Sequence, residues 1–176
     1  MTELIRRVAV TGATGFIGRH LTAHLVQQGV DVRAIVRTRS AKAAPPGGTI
    51  VQAPLEASAL TEAFAGVDAV VHLAGIVSTV REREYIEVNA AGTAAVGEAA
   101  RAAGARLIYV SSLAAAGPAS PSAPRREEDP SAPLTPYGRS KLEGEQRISA
   151  IAGLQWTTLR PGVVYGPGDR AMLPLF

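Results

Sequence analysis

Eight residues near the N-terminus, Thr11-Gly12-Ala13-Thr14-Gly15-Phe16-Ile17-Gly18, constrain the fold of this chain more than any other stretch. They follow an apolar run, Val8-Ala9-Val10, that reads as a buried strand. They precede Ile17, Leu21, Leu25 and Val26, which recur at helical spacing. A strand, a glycine-rich turn and a helix in that order build the phosphate cradle of a dinucleotide-binding fold. Gly12 allows the tight turn, Gly15 lets a pyrophosphate approach the backbone, and Gly18 lets the helix pack close to the strand. The N-terminus of that helix offers unpaired N–H groups and partial positive charge to phosphates. A glycine-rich turn without a ligand is the bland alternative. The strand before it and the helix after it, as the motif demands, argue against that reading.

The rest of the chain repeats the alternation. Gly29 stops the first helix, and Val32 to Val36 form a second strand that ends at Arg37. A loop from Ser40 to Gly48 contains Pro45-Pro46-Gly47-Gly48 and leads to a short strand, Thr49-Ile50-Val51. Leu55, Leu60 and Phe64 mark a short helix that stops at Gly66. Ala69 to Leu73 is a fourth strand, apolar enough for burial on both faces. A long helix from about Glu82 to Ala103 comes next, then a strand over Leu107 to Val110 and a proline-rich loop from Gly117 to Pro136. A helix beginning near Pro136-Tyr137 and a strand over Trp156 to Leu159 complete the series. Six strands alternating with helices predict an α/β fold: a doubly wound, Rossmann-type parallel sheet, order 3-2-1-4-5-6, with helices on both faces.

Composition narrows the function classes. The 176 residues are 47% hydrophobic and 19% charged, which suits one globular domain with a real core. No apolar run reaches the length of a membrane span, and Met1-Thr2-Glu3 leads directly into the first strand, so neither a membrane anchor nor a signal peptide is expected. The absence of cysteine removes disulfides and thiolate metal sites, no metal is expected, and a cytoplasmic protein fits. The net charge of +3 comes almost wholly from arginine, with no basic run interleaved with aromatics, so nucleic acid is not an expected partner. A small anionic cofactor or substrate suits that charge.

Several residues are placed for chemistry. Tyr137 and Lys141 are four apart on a predicted helix and share a face; Lys141 is one of only two lysines, with Lys42. A nearby ammonium is expected to lower the phenol's pKa from about 10, tuning it for proton transfer. Ser111 and Ser112 fall just past the fifth strand, at the carboxyl edge where open parallel sheets bind ligands. A hydroxyl there can donate to a substrate oxygen. Otherwise the two serines merely cap a loop. His72 reads as a satisfied, partly buried histidine, and Ala74 and Gly75 as small residues that let a cofactor lie against the backbone. Asn89 sits inside a helical pattern that disfavours it, which points to a special hydrogen bond or to a surface position.

Taken together, Thr11 to Gly18, His72-Leu73-Ala74-Gly75, Asn89-Ala90-Ala91-Gly92-Thr93, Tyr109-Val110-Ser111-Ser112 with Gly117, Tyr137-Gly138-Arg139-Ser140-Lys141, and Leu159 to Gly168 make the chain resemble the extended short-chain dehydrogenase/reductase family. That family comprises NAD(P)-dependent epimerases, dehydratases and reductases. The resemblance implies Tyr137 as catalytic acid/base, Lys141 as its partner and ribose ligand, and Ser112 as the catalytic hydroxyl. It implies cofactor contacts at Gly12, Thr14, Gly15, Phe16, Ile17, Gly18, Leu55, Leu73, Ala74, Gly75, Asn89 and Pro161. The implied chemistry is hydride transfer at a hydroxyl-bearing carbon of a small molecule, nucleotide sugars included. The implied assembly is a homodimer through the Glu82–Ala103 helix and the Tyr137 helix, with small residues in the seam.

Three features depart from the family pattern. Where NAD-preferring members carry an acidic residue after the second strand, this chain has Val36-Arg37-Thr38-Arg39; a guanidinium at Arg37 favours the 2′-phosphate of NADP over NAD. Pro54 stands where an aspartate usually precedes Leu55. Residues 1–169 are expected to form the cofactor-binding domain and 170–176 to begin a substrate-binding region that is otherwise largely absent. An enzyme is the leading expectation, and a non-catalytic dinucleotide-binding module, a redox sensor or scaffold, is its rival.

Overall fold

In the computed structural model, which describes residues 5–37 and 47–169, six strands form one parallel sheet in the order β3-β2-β1-β4-β5-β6. The strands are β1 (Arg7–Thr11), β2 (Asp31–Val36), β3 (Thr49–Gln52), β4 (Ala69–His72), β5 (Arg106–Val110) and β6 (Trp156–Leu159). The helices are α1 (Phe16–Gln27), α2 (Ala57–Ala63), α3 (Glu82–Tyr85), α4 (Gly92–Ala102), α5 (Leu113–Ala116) and α6 (Pro136–Ser149). The expected doubly wound order is present, and β1 lies at its centre, with Val8 opposite both Val32 of β2 and Ala69 of β4.

Alternation along β1 sends its side chains to two different cores. Val8 and Val10 pack with Val32, Ala34 and Ala69 beneath Leu21 and Leu25 of α1. Ala9 belongs to the opposite layer, where Val70, Leu107 and Tyr109 meet Leu60 of α2, Val96 of α4 and Ile148 of α6. Burial on both faces is why β1 and β4 read as nearly continuous apolar runs. Gly97 is what lets α4 approach α6, since a Cβ there would lie 2.7 Å from Ile151 Cδ1 and 3.2 Å from Ile148 Cγ2.

The long helix expected over Glu82 to Ala103 is interrupted. Residues Ile86–Ala91 form a π-helical turn between α3 and α4. A π turn widens the hydrogen-bonded ring by one residue and rotates the helix beyond it, a device concentrated at functional sites. The fourth strand ends at His72, so Leu73 lies just beyond it. The short helix α5 occupies the residues between the fifth strand and the proline-rich loop, to which the sequence assigned no element, and the loop after Gly117 carries one small antiparallel bridge, Ser120 with Ala123. Thr38, Arg39, most of the loop to Gly48, and residues 170–176 with the proposed start of a second region fall outside the described residues.

Candidate functional site

The glycine-rich turn does what its residue types require. Gly12 adopts φ +70°, and a Cβ there would strike Ala74 N at 2.6 Å, so its bareness serves both the turn and the close passage of the β4 end. A Cβ on Gly18 would lie 2.2 Å from Gly12 O, which accounts for the third glycine by helix-to-strand packing. Gly15 differs, because its added Cβ would meet only Gly12 O, at 3.3 Å, and otherwise open space. It caps α1 with no side-chain hydrogen bond, and the first turn of that helix holds no acidic residue. The early N–H groups of a twelve-residue helix are thus left without a side-chain acceptor beside a bare Gly15, a surface that fits the diphosphate of a dinucleotide.

That surface opens on a cleft of about 770 Å³ at the carboxyl ends of β1, β2 and β4. Gly12, Thr14, Gly15, Arg37, Leu55, Leu73, Ala74 and Gly75 all line it, as the sequence led one to expect. Ala53 and Pro54 complete one wall, and Ile76, Glu87, Val88 and Gly92 the other. Gly92 belongs to the Asn89–Thr93 motif and Pro54 precedes Leu55; the other additions carry no motif, being loop and helix residues that only the crossover topology brings to the edge. Phe16, Ile17 and Gly18 stand in the first turn of α1, outside the lining. Arg37 is exposed at the end of β2 and makes no hydrogen bond or ion pair to any described residue. Its guanidinium is available to a ligand in the cleft.

Asn89 is fully buried, and the special hydrogen bond inferred for it is a set of three. Its Oδ1 accepts from Ile76 N at 2.9 Å, and its Nδ2 donates to Ile76 O at 2.9 Å and to Ser140 Oγ at 3.0 Å. The π turn thereby supports the strip of backbone after Gly75. A Cβ on Gly75 would come within 3.0 Å of Asn89 Oδ1 and 4.0 Å of Lys141 Nζ. His72 is fully rather than partly buried and satisfied on both nitrogens: Nδ1 lies 2.7 Å from Thr11 Oγ1 and Nε2 3.0 Å from Thr93 Oγ1. Burial drives its pKa down to about 3, with Lys141 acting in the same direction, so the ring is neutral.

Tyr137 sits in the first turn of α6, which Thr135 caps by accepting from Gly138 N at 3.0 Å, with Pro136 as the first helical residue. Tyr137 lines a second, more open cleft of about 480 Å³ with Val77, Val80, Tyr85 and Pro136, whose lining begins at Val77, one residue after Ile76 of the first. The expected lowering of its pKa by Lys141 is not what the structure shows. Burial raises the Tyr137 pKa, Ser112 opposes that through a hydrogen bond, and Tyr85 adds to the rise. Lys141 points elsewhere: Nζ donates to Val110 O at 2.9 Å and lies 4.4 Å from the Tyr109 ring centroid. Its own pKa is lowered to about 8, chiefly by burial, with Glu145 pulling it up.

The two serines part company. Ser111 is buried and donates to Glu145, whose carboxylate also takes a two-pronged hydrogen bond from Arg160. Ser112 caps α5, accepting from Ala114 N at 3.1 Å, and keeps its own proton to donate. Pro161 lies just past β6 and in neither cleft; its carbonyl accepts from Leu113 N at 3.0 Å and so holds α5 under Ser112. Sequence reasoning passed over Glu145, although its place one turn beyond Lys141 on the same face was a readable signal. It also passed over Arg160, Thr93 and Tyr85, whose roles depend on tertiary contact. Among the described residues no cluster of three or more His, Asp or Glu is placed to hold a metal, and no helix is long and apolar enough to cross a membrane.

Known proteins share this arrangement. The model of the NAD dependent epimerase/dehydratase family matches residues 8–176. The chain is 37% identical to a ceramide reductase of Caulobacter vibrioides, over 96% of this chain and 50% of that protein. It is 34% identical to a 4-hydroxy-2-methyl-3-oxo-4-farnesyl-3,4-dihydroquinoline-1-oxide ketoreductase of Stigmatella aurantiaca, over 96% of this chain and 53% of that protein. Among solved structures it is similar to MoeE5 in complex with UDP-glucuronic acid and NAD, with TM-score 0.80 and 32% identity over 93% of this chain and 57% of that one. The chain spans about half the length of the curated relatives it matches.

Proposed function

The chain belongs to the NAD dependent epimerase/dehydratase family, and from that premise we propose that it transfers a hydride at a hydroxyl-bearing carbon, in the direction of carbonyl reduction, with Tyr137 as the proton donor. The observation that carries the reading is the place of Tyr137 in the first turn of α6, lining the cleft with Val77, Val80 and Tyr85, and the direction of reduction is drawn from the ceramide reductase and ketoreductase relatives. When bound, a nicotinamide cofactor supplies the hydride. Gly15 and the first turn of α1 would hold its diphosphate, and Leu73, Ala74 and Gly75 line the same cleft. The carbonyl carbon gains the hydride while its oxygen takes the Tyr137 proton, and the phenolate recovers a proton from solvent. Ser112 donates to the same oxygen and fixes its position. Lys141, held between Val110 O and the Tyr109 ring, places a positive charge beside Gly75, where it would bind the ribose of the cofactor.

The same residues bear on cofactor and substrate choice. Arg37 favours NADP(H): an Arg37→Ala variant should lose about ten- to a hundredfold in NADPH affinity, the worth of a hydrogen bond to a charged group, with NADH affinity unchanged in calorimetric titration. Tighter binding of NADH by the unaltered chain would reject this. The substrate carbonyl carries an apolar flank, in keeping with exposed Val77 and Val80 beside Tyr137 and with the ceramide reductase and farnesyl-quinoline ketoreductase relatives. A nucleotide sugar is the second reading, favoured by the likeness to MoeE5 with UDP-glucuronic acid. The test is NADPH oxidation with long-chain ketones and with UDP-keto sugars, in this chain and in Tyr137→Phe. Turnover should fall about 10²- to 10⁴-fold in the variant. Firm NADPH binding with no turnover on either panel would leave the non-catalytic dinucleotide-binding module ahead. We further propose a cytoplasmic homodimer joined through the outer faces of α4 and α6.

A further inference from the structure

Seven residues from β1, β4, the loop after it, the π turn, α4 and α6 form one directed hydrogen-bond chain across the site. Thr93 Oγ1 donates its single proton to Asn89 O at 2.7 Å, so it can only accept from His72 Nε2. His72 is therefore protonated at Nε2 and bare at Nδ1, which accepts the proton of Thr11 Oγ1. The Thr11 oxygen is left to accept from Ala74 N at 3.4 Å, on the floor of the nucleotide cleft. At the other end Asn89 Nδ2 donates to Ser140 Oγ, and Ser140 Oγ donates to Tyr137 O at 2.7 Å. In this arrangement no member needs a second proton.

We propose that His72 is a positioning residue: through Thr11 and Thr93 it locks the glycine-rich turn to the π turn, so that the nucleotide cleft and the backbone of Tyr137 keep one register. The inference rests on the cofactor-binding reading above. His72 and Thr93 line neither cleft, and the ring is fully buried against Tyr109. A side chain chosen only for packing needs no acceptor on one side and donor on the other. A π turn also has a shifted backbone ladder, and the Thr93-to-Asn89 bond fastens it at the residue that supports Ile76. Energetic coupling between sites travels through such two-ended contacts, and it is established only by breaking one link at a time.

The experiment uses four variants. The glutamine amide of His72→Gln reaches the place of Nε2 and preserves the link to Thr93. The shorter amide of His72→Asn reaches only the place of Nδ1 and breaks it. Thr93→Ser keeps the hydroxyl and Thr93→Val replaces it with a methyl of the same shape. Amide hydrogen exchange over residues 86–93 is measured without cofactor, and NADPH affinity by fluorescence titration. Thr93→Ser should stay within about threefold of the unaltered chain in both. His72→Gln, which loses the Thr11 link, His72→Asn, which loses the Thr93 link, and Thr93→Val should each exchange about tenfold faster and bind NADPH about tenfold more weakly. The double variant His72→Asn with Thr93→Val should be no worse than either alone. A histidine variant that matches the unaltered chain in both measurements, or equal behaviour of serine and valine, overturns the inference, and if the His72 variants do not fold the Thr93 pair decides it. Failure of the unaltered chain to bind NADPH would defeat the functional reading instead, while the exchange pattern still judges the lock.

Discussion

Lys141 keeps its ammonium almost wholly out of solvent, and the pH dependence of folding should show the cost. Its pKa is lowered to about 8 in the folded chain, mainly by burial, against 10.5 as the ordinary value. Between those limits the unfolded chain binds more protons than the folded one, so stability rises with pH. Above pH 10 the phenols of Tyr109 and Tyr137, both pushed up by burial, act in the opposite sense, because the folded chain then holds protons that the unfolded chain has lost. Urea unfolding should therefore show a gain of about 2 kcal/mol from pH 8 to pH 10, since one proton held only by the unfolded chain is worth roughly 1.4 kcal/mol for each step of one in pH. The gain should be missing in Lys141→Met. A flat profile for the unaltered chain would mean that the ammonium is better compensated than its surroundings indicate. At this scale the sequence was legible where a residue contradicted its local pattern, as Asn89 does in a helix. It misled where two residues shared a face: i,i+4 spacing puts Tyr137 and Lys141 together but does not say that Lys141 turns toward Val110 O.

At the scale of the element, α6 is the part on which the candidate chemistry hangs, and glycines set its position. A Cβ on Gly138 would lie 2.3 Å from Ala114 O, and one on Gly144 would lie 2.7 Å from both Asn89 O and the Tyr109 hydroxyl. Gly144→Ala should cost about 1–3 kcal/mol in thermal or chemical unfolding, as overpacking against backbone does, even though alanine is the better helix former. An alanine variant as stable as the unaltered chain would show that α6 can slide outward without penalty. The six strands and the main helices were legible because apolar period and glycine stops agree along the chain. The π turn was not, since one residue of extra winding barely disturbs a 3.6-residue pattern rich in alanine. Nor was α5, whose four residues are too few to show a period.

For the whole molecule, the expected small-residue seam of a dimer is already in use within one chain. Gly92 faces Leu55, Gly97 faces Ile148 and Ile151, and Gly144 faces Asn89 and Tyr109. The outer surfaces of α4 and α6 instead carry Glu98 paired with Arg101 and Glu143 paired with Arg147. A dimer built there should weaken as salt is raised, and light scattering across a concentration series at low and high ionic strength measures it. A monomer mass throughout would reject that assembly. The sheet order was legible from the alternation of elements, but the gathering of Ala53, Ile76, Glu87 and Val88 around one cleft was not, because it depends on how the crossovers bring distant loops together. The central place of β1 bears also on how the molecule comes to exist. Its pairing with β2 joins residues 24 apart, whereas the Thr11–His72 contact on its other side joins residues 61 apart. Closing the longer loop is the slower step, since its entropy is lost before any contact repays it. The nucleotide cleft has walls from both sides of β1 and is complete only once that longer closure is made, so a refolding chain is expected to bind cofactor no earlier than β4 pairs with β1.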